Sequence, residues 1–155
     1  MGIDPVTSVS IAKANDSYLV STLDSTIRLM DKRDGRLLQA FRDPDVSQHV
    51  IMDVSIADIS QFQNKNYRIR STLAAGDSLV ISGSEDGNVL VWDVLSGTVK
   101  HRLRHAQQAL TGSQHGDVKS QPSKRDVVSA VAWNQLRKEW ATAGGDGTVV
   151  LWGNG

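Results

Sequence analysis

Apolar and polar positions alternate in three segments of the chain that share one layout. In each segment a small polar turn leads into a short run in which every second side chain is apolar. An Asp stands six residues before Met30, Trp92 or Trp152. A period of two predicts β-strands rather than helices, whose period is about 3.6. The segments are residues 23–31, 85–93 and 145–153.

Further apolar runs surround each of these segments. Turns that contain Gly, Asp or Asn separate the runs, which is typical of hairpins. The sequence therefore predicts an all-β chain of three antiparallel meanders, the third of which lacks a fourth strand. The predicted first strands are 6–11, 69–73 and 127–133, the second strands are 18–20, 79–81 and 140–141, and the fourth strands are 36–41 and 98–103.

A four-strand unit with an Asp in its second turn and a Trp near the end of its third strand resembles the WD40 repeat of β-propellers. The resemblance implies three blades: blade 1 in residues 1–42, blade 2 in 67–104 and blade 3 in 126–155. Propeller rings contain about 4–8 blades. Three blades, the last without its outer strand, predict a partial propeller, and the open edges call for further blades or self-association.

The resemblance also implies a structural network in each blade. The Asp holds backbone amides of its turn, and a Ser or Thr on the second strand links toward the Trp indole on the third. Blade 1 has Met30 in place of the Trp and is expected to keep the turn alone. The Gly-His pair of the family is absent before every first strand. The predicted network residues are Asp24 in blade 1, Ser82, Asp86 and Trp92 in blade 2, and Thr142, Asp146 and Trp152 in blade 3.

Two connections are longer than the ~12–15 residues of ordinary loops. Residues 105–125 are polar and small, which favours a flexible surface loop over a partner-binding one. Within the connection 43–66, the segment 46–61 is apolar and matches no strand of the repeat. Two interpretations of it remain open: a translated short intron of a fungal-type gene, or an extra hairpin or edge strand packed on a blade.

The amino-acid composition narrows the classes of function that are expected for this chain. The 155 residues carry 17 Lys and Arg against 17 Asp and Glu, contain no Cys and include four His. Zero net charge argues against direct nucleic-acid binding and polybasic membrane binding. His101 and His105 are four residues apart on a strand end and a loop, where that spacing does not share a face, so both are interpreted as surface side chains. No nucleophile–base pair or metal-ligand spacing is present, so no catalysis, cofactor or metal is expected.

Recognition is expected at the rim where the first strands begin and the Asp-bearing turns lie. The candidate partner-binding residues there are Tyr67, Arg68, Arg70 and Glu85. Arg and Tyr are enriched at interaction hot spots. A second charged turn, at residues 137–139, is expected on the opposite rim.

A finer resemblance rests on residues 5–9, 19–32, 64–68 and 80–87, in particular on Leu23-Asp24-Ser25-Thr26 followed by Met30. These segments resemble the mitogen-activated protein kinase organizer family, a family of WD-repeat scaffolds, and correspond to its C-terminal half. The resemblance implies a non-enzymatic cytoplasmic or nuclear scaffold. Its expected partners are components of mitogen-activated kinase cascades and pre-mRNA splicing complexes. The alternative is a truncated fragment of a wrongly assigned gene, with no independent function.

Overall fold

The computed structural model describes residues 4–43, 62–105 and 123–153. These residues form three antiparallel sheets of four, four and three strands and contain no helix. The prediction of an all-β chain with three meanders, the last of three strands, is confirmed. The strands are β1 (Val6–Ile11), β2 (Ser17–Thr22), β3 (Thr26–Asp31) and β4 (Leu37–Phe41) in blade 1, β5 (Ser71–Ala74), β6 (Leu79–Gly83), β7 (Asn88–Asp93) and β8 (Val99–Arg104) in blade 2, and β9 (Val128–Asn134), β10 (Glu139–Gly144) and β11 (Val149–Trp152) in blade 3.

Two of the sequence predictions fall largely outside these residues. The apolar segment 46–61 lies wholly outside them, and so does all of the polar connection 105–125 except its two ends. Within the described part of the chain, no helix is long and apolar enough to cross a membrane.

The three sheets stand side by side in chain order. Strand β5 contacts β1 and β2, and β9 contacts β5 and β6. The first strand of each blade therefore lies beside the first strand of the next, and blade 2 occupies the middle. Each sheet is a meander whose consecutive strands are neighbours.

Strand β7 belongs to the middle blade, and neighbouring blades pack on both of its faces. Successive side chains of a strand point to opposite faces of the sheet. Leu90 and Trp92 accordingly pack into an apolar cluster shared with blade 1. Val89 and Val91 pack into a second cluster shared with blade 3. Because both faces are covered, β7 is nearly continuous in apolar residues, as strands buried on two sides are.

Two apolar clusters fill the spaces between blades. The cluster between blades 1 and 2 contains the larger number of buried side chains, and its aromatic rings are themselves buried. The cluster between blades 2 and 3 has fewer buried residues and is closed by half-buried tryptophans. The first consists of Ala12, Leu19, Ile27, Leu29, Phe41, Phe62, Leu73, Val80, Leu90 and Trp92. The second consists of Ala74, Ile81, Val89, Val91, Val128 and Val131, flanked by Leu79, Leu103, Trp133, Trp140 and Trp152.

Blades 2 and 3 also meet backbone to backbone. The Val128 amide donates to the Ser84 carbonyl at 3.0 Å. A Cβ placed on Gly83 would lie 1.9 Å from the Val128 carbonyl oxygen, so only glycine allows this approach. The glycine thus fixes how closely the start of β9 packs against the end of β6.

The outward faces of blades 1 and 3 carry large apolar side chains that no described residue covers. Val9 and Ile11 on β1 are 62% and 64% exposed. Val149 and Leu151 on β11 are 68% and 81% exposed. Exposed apolar faces of this kind mark surfaces that pack against another element.

Candidate interaction rim and the polar network beneath it

The three repeat aspartates each hold the turn between the second and third strands of their blade. Each carboxylate accepts the backbone N–H of the residue two positions later, which closes a tight Asx-type turn. Gly87 and Gly147 follow two of the aspartates with φ of +85°, a conformation that glycine adopts without strain. Asp146 is exposed, and Asp24 and Asp86 are half-buried. The bonds run from Thr26 to Asp24 (3.0 Å), from Asn88 to Asp86 (3.2 Å) and from Thr148 to Asp146 (2.9 Å).

In blade 3 the predicted link between the second and third strands is present. The Trp152 indole N–H donates to Thr142 Oγ1 at 2.9 Å. The Thr142 hydroxyl is 2.7 Å from His105 Nδ1, and His105 Nε2 is 3.0 Å from Thr148 Oγ1. The Thr148 hydroxyl then reaches Asp146 Oδ1 at 2.8 Å. Three side chains, joined by four hydrogen bonds, therefore connect the tryptophan in the interface to the aspartate in the turn.

The two ends of this chain determine the direction of the bonds next to them. An indole N–H can only donate, and an ionised carboxylate can only accept. Trp152 therefore donates to Thr142, and Thr148 donates its single hydroxyl hydrogen to Asp146, the last side chain of the series. The Thr148 oxygen is left to accept from His105 Nε2. The pKa of Asp146 is lowered by the hydrogen bonds from the amide and hydroxyl of Thr148 and by His105.

The interpretation of His105 as a surface side chain is wrong, since only 4% of it is exposed. The residue directly follows β8, its amide donates to the Gly87 carbonyl at 3.1 Å, and its side chain reaches Thr142 of blade 3. The long connection begins only after this point and separates His105 from β9, so the spacing of a Gly-His pair is lost. The sequence signal that could have revealed this burial was Thr142, because a polar side chain within the β10 strand needs a hydrogen-bond partner when it is buried.

In blade 2 the expected link between Ser82 and Trp92 does not form. The Ser82 hydroxyl donates to the Gly83 carbonyl at 2.9 Å. The Trp92 indole instead donates to the Arg42 carbonyl at 3.3 Å. Its ring packs edge-to-face on Phe62, with centroids 5.2 Å apart. This tryptophan is thus held by the segment that enters blade 2 rather than by the second strand.

The strand register explains the difference. Phe41 pairs with Ile27 as Leu103 pairs with Val89, so Asp43 stands where His105 stands in the next blade. The side chain of Asp43 is 5% exposed, accepts the Phe62 amide at 2.8 Å and forms an ion pair with Arg102. Both of its oxygens are therefore engaged, and it does not complete a link to Ser82.

Blade 1 replaces the network with an ion pair. By register Val20 occupies the place of Ser82 and Thr142, so neither the polar residue nor the tryptophan of the network is present. Arg28 reaches Asp24 Oδ2 at 2.5 Å. Burial by itself raises the pKa of Asp24, but hydrogen bonds from Arg28, Thr22 and Thr26 lower it to about 2. The positive charge of Arg28 therefore stabilises the ionised Asp24 side chain in its turn.

Of the four predicted rim residues, Glu85 has a different role. Its side chain is 2% exposed. Oε1 accepts the amides of Lys65 (2.6 Å), Asn66 (2.6 Å) and Tyr67 (3.0 Å), and Oε2 accepts Asn66 Nδ2 at 3.0 Å. Burial raises the pKa of Glu85, but these bonds outweigh it and the pKa is lowered overall. A buried carboxylate cannot contact a partner, so its place on the rim surface is corrected.

The other three predicted residues lie on the loop that Glu85 holds, or directly after it. Arg68 and Arg70 are exposed, and Tyr67 is half-buried. The Arg70 amide donates to the Ser129 carbonyl at 3.0 Å, which ties the end of the loop to blade 3. The rim loop is therefore a fixed platform whose charged side chains face solvent.

The WD40 family, described as "WD domain, G-beta repeat", matches residues 58–93 and 108–153, more than half of the chain. This chain belongs to the WD40 family. WD40 repeats build the blades of β-propellers, and the sheets, turn aspartates and interface tryptophans described above fit that architecture. Proteins of the family are generally interaction scaffolds rather than enzymes.

Similar proteins are longer than this chain. It is similar to WD repeat domain-containing protein 83 of Danio rerio, with 34% identity over 149 residues that cover 96% of this chain and 36% of the relative. It is also similar to an uncharacterized WD repeat-containing protein of Schizosaccharomyces pombe, with 32% identity over 94 residues that cover 61% of this chain and 26% of that protein. The chain therefore spans about a quarter to a third of these relatives.

A solved structure titled "Structure of U3-55K" superposes with a TM-score of 0.62 at 13% identity, and the match covers 98% of this chain and 37% of that one. At this identity the likeness concerns the fold alone. The superposition extends over all three blades, so their arrangement resembles the one in that structure.

Proposed function

We propose that this chain is part of a non-enzymatic WD40 scaffold that assembles other proteins on its rim. The observation that carries the proposal is the membership in the WD40 family, together with a rim loop held in place by buried Glu85. The loop presents Tyr67, Arg68 and Arg70, and aromatic and Arg side chains on a fixed support are typical of hot spots. A rigid platform also reduces the ordering cost of binding.

The partners we propose are components of mitogen-activated kinase cascades or of pre-mRNA splicing complexes, in the cytoplasm or nucleus. Support comes from the resemblance of residues 19–32 and 80–87 to the kinase-organizer family and from the similarity to WD repeat domain-containing protein 83. The test is cross-linking and affinity purification of the tagged chain from cells, followed by mass spectrometry. Recovery of neither kinase-cascade nor splicing proteins above a tag-only control would reject these partners.

A second candidate is favoured by the exposed apolar faces of the end blades. Val9, Ile11, Val149 and Leu151 form surfaces that adjacent blades cover elsewhere in the structure. Under this proposal the three blades act only when further blades or a second copy cover those faces. Light scattering after size exclusion, combined with urea unfolding, tests it. A monomer at micromolar concentration with one cooperative transition would argue against this candidate.

A further inference from the structure

Five exposed cations surround the turn between β6 and β7 of blade 2. Two lie on the loop held by Glu85, one follows that loop, and two precede β9 of blade 3. We call this surface the basic rim; it consists of Lys65, Arg68, Arg70, Lys124 and Arg125.

Backbone contacts bring these segments together around the turn at residues 84–87. On one side, the Lys65 amide donates to Glu85 at 2.6 Å. On the other side, a Cβ placed on Gly87 would lie 3.3 Å from the Asp126 carbonyl, and the Gly145 amide donates to the Val127 carbonyl at 2.8 Å. The Arg70 amide joins the Ser129 carbonyl at 3.0 Å. The cations therefore border one continuous surface that spans blades 2 and 3.

The acidic side chains in the turns around the basic rim are hydrogen-bonded to groups other than its cations. Asp146, which follows Gly145, accepts the amide and the hydroxyl of Thr148. Glu85 is buried and accepts the three loop amides. Asp126 Oδ2 accepts the Ser123 amide and hydroxyl, both at 2.8 Å. Asp86 accepts the amide and side chain of Asn88. Their charges are not paired with the five cations, and no cation of the basic rim forms an ion pair with another described residue.

On the opposite rim some cations are paired with carboxylates and others are not. Lys100 pairs with Asp93 at 2.9 Å, and Arg33 pairs with Asp31 at 3.2 Å. Arg36 lies 4.0 Å from the same Asp31 carboxylate. Exposed cations without an ion pair to a described residue also occur there, at Lys13, Lys32, Arg137 and Lys138. The basic rim differs in that its five cations border one turn and the loop that Glu85 holds.

We propose that the basic rim binds an acidic segment of a partner protein. This inference rests on the proposed scaffold function and names the chemistry of the partner. Carboxylate or phosphate groups of an extended segment would pair with the exposed guanidinium and ammonium groups, and charge-assisted hydrogen bonds of this kind are the stronger ones. Half-buried Tyr67, which stands between Lys65 and Arg68 in the loop, offers an aromatic contact. A protein partner is favoured over nucleic acid because the proposed scaffold function assembles proteins, and a zero net charge argues against a dedicated nucleic-acid binder.

The test measures binding of fluorescent peptides to the complete 155-residue chain by fluorescence anisotropy. The probes are an Asp- and Glu-rich peptide, its Asn and Gln counterpart, a phosphoserine peptide of equal charge, and a single-stranded RNA of equal length. The rim variant carries Arg68→Glu and Lys124→Glu. The matched control, Lys13→Glu with Arg137→Glu, makes the same change in net charge at exposed positions in the β1–β2 and β9–β10 turns of the opposite rim.

We expect the acidic peptide to bind and the neutral counterpart not to bind. The rim variant should weaken binding at least about ten-fold, which corresponds to ~1.4 kcal/mol, and the control by less than about two-fold. Added salt should weaken binding to the unaltered chain, since exposed charges are screened. Comparison of the carboxylate and phosphate peptides identifies which group the rim prefers.

Absence of binding, equal binding of the neutral peptide, equal loss in the control variant, or tighter binding of the RNA would each overturn the proposal. Far-UV circular dichroism of both double variants establishes that they fold, and Arg68→Gln with Lys124→Gln serves if charge reversal does not fold. Failure here is distinct from failure of the scaffold function. If the rim variant still recovers the cellular partners of the unaltered chain, only the acidic-segment inference fails.

Discussion

Trp92 and Trp152 occupy the same place in consecutive repeats and are held in different ways. Trp92 is completely buried, packs on Phe62 and donates to a backbone carbonyl. Trp152 is half-buried, stacks on Trp140 with centroids 4.9 Å apart, and donates to Thr142 in a chain of side-chain hydrogen bonds. The interface between blades 1 and 2 is thus sealed by rings, and the interface between blades 2 and 3 depends more on polar contacts.

This difference shows which part of the repeat is set locally. Strand register places the tryptophan opposite the second strand in both blades, at Val80 and at Trp140. The residue that leaves the preceding blade, Asp43 or His105, decides the partner of the indole. A repeat motif therefore specifies where a side chain lies and not what it contacts.

The largest expected effect separates the two tryptophans. Replacement Trp92→Ala should lower the free energy of unfolding by about 3–5 kcal/mol, because it leaves a cavity in a closed apolar cluster. Trp152→Ala should cost about 1–3 kcal/mol, because part of that ring already contacts solvent. Urea unfolding followed by far-UV circular dichroism measures both. Equal losses would show that the two interfaces are sealed to the same degree.

The second prediction concerns the backbone contact between blades 2 and 3. Gly83→Ala forces a Cβ against the Val128 carbonyl and should cost about 2–3 kcal/mol, as overpacking does. Gly153→Ala is the matched control, since its new Cβ would lie 3.1 Å from the flexible Glu139 Cγ. The same urea experiment compares them. A neutral Gly83→Ala variant would mean that the blades can separate without loss.

The polar chain predicts a difference between two histidines. His105→Ala should cost about 1–2 kcal/mol, because it removes a buried hydrogen-bond partner of Thr142 and Thr148. His101→Ala, at an exposed position of β8, should change stability by less than about 0.5 kcal/mol. Thermal unfolding measures the stability. The Trp152 indole N–H signal in a ¹H–¹⁵N spectrum should shift in the first variant only, and an unchanged signal would contradict the chain of bonds.

The smallest expected effect tests the ion pair of blade 1. Because the pKa of Asp24 is lowered from 3.8 to about 2 in the folded chain, its contribution to stability is complete above pH 4 and is lost as the pH falls toward 2. Asp24→Asn should remove about 1 kcal/mol at pH 7, discounted for partial exposure, and should flatten the stability curve between pH 4 and 2. Urea midpoints across this range, with exposed Asp4→Asn as control, provide the measurement. A curve for Asp24→Asn as steep as that of the unaltered chain would contradict this role.

The strands were predictable because alternation is a local property. Residues 18–20 and 79–81 lie within observed strands, and the predicted strand 98–103 begins one residue before β8. The turn aspartates bind amides only two residues away. The partners of the tryptophans were not predictable in the same way. His105 and Thr142 are 37 residues apart, and Asp43 and Phe62 are 19 apart. Neither separation carries a periodic signal.

The rim shows the same division. The sequence identified Tyr67, Arg68 and Arg70 as candidates from their place before β5. It grouped Glu85 with them because this residue stands beside Asp86 in the Asp-bearing turn, which lies on the same rim. Only the folded loop brings three amides to that carboxylate, and their hydrogen bonds compensate the cost of burying the charge. The residue that supports the platform was thus mistaken for part of its surface.

The sequence by itself determined the all-β class, the number of blades, the faces of the strands and the turns that join them. Each of these depends on contacts between residues close in the chain or on a period of two. The tertiary structure alone decided that Trp92 meets a carbonyl and Trp152 a hydroxyl, that His105 is buried, and that the cations of the basic rim form no ion pair with another described residue. These properties depend on which distant segments the packing of blades brings together, and hydrogen-bond partners are selected only at that stage.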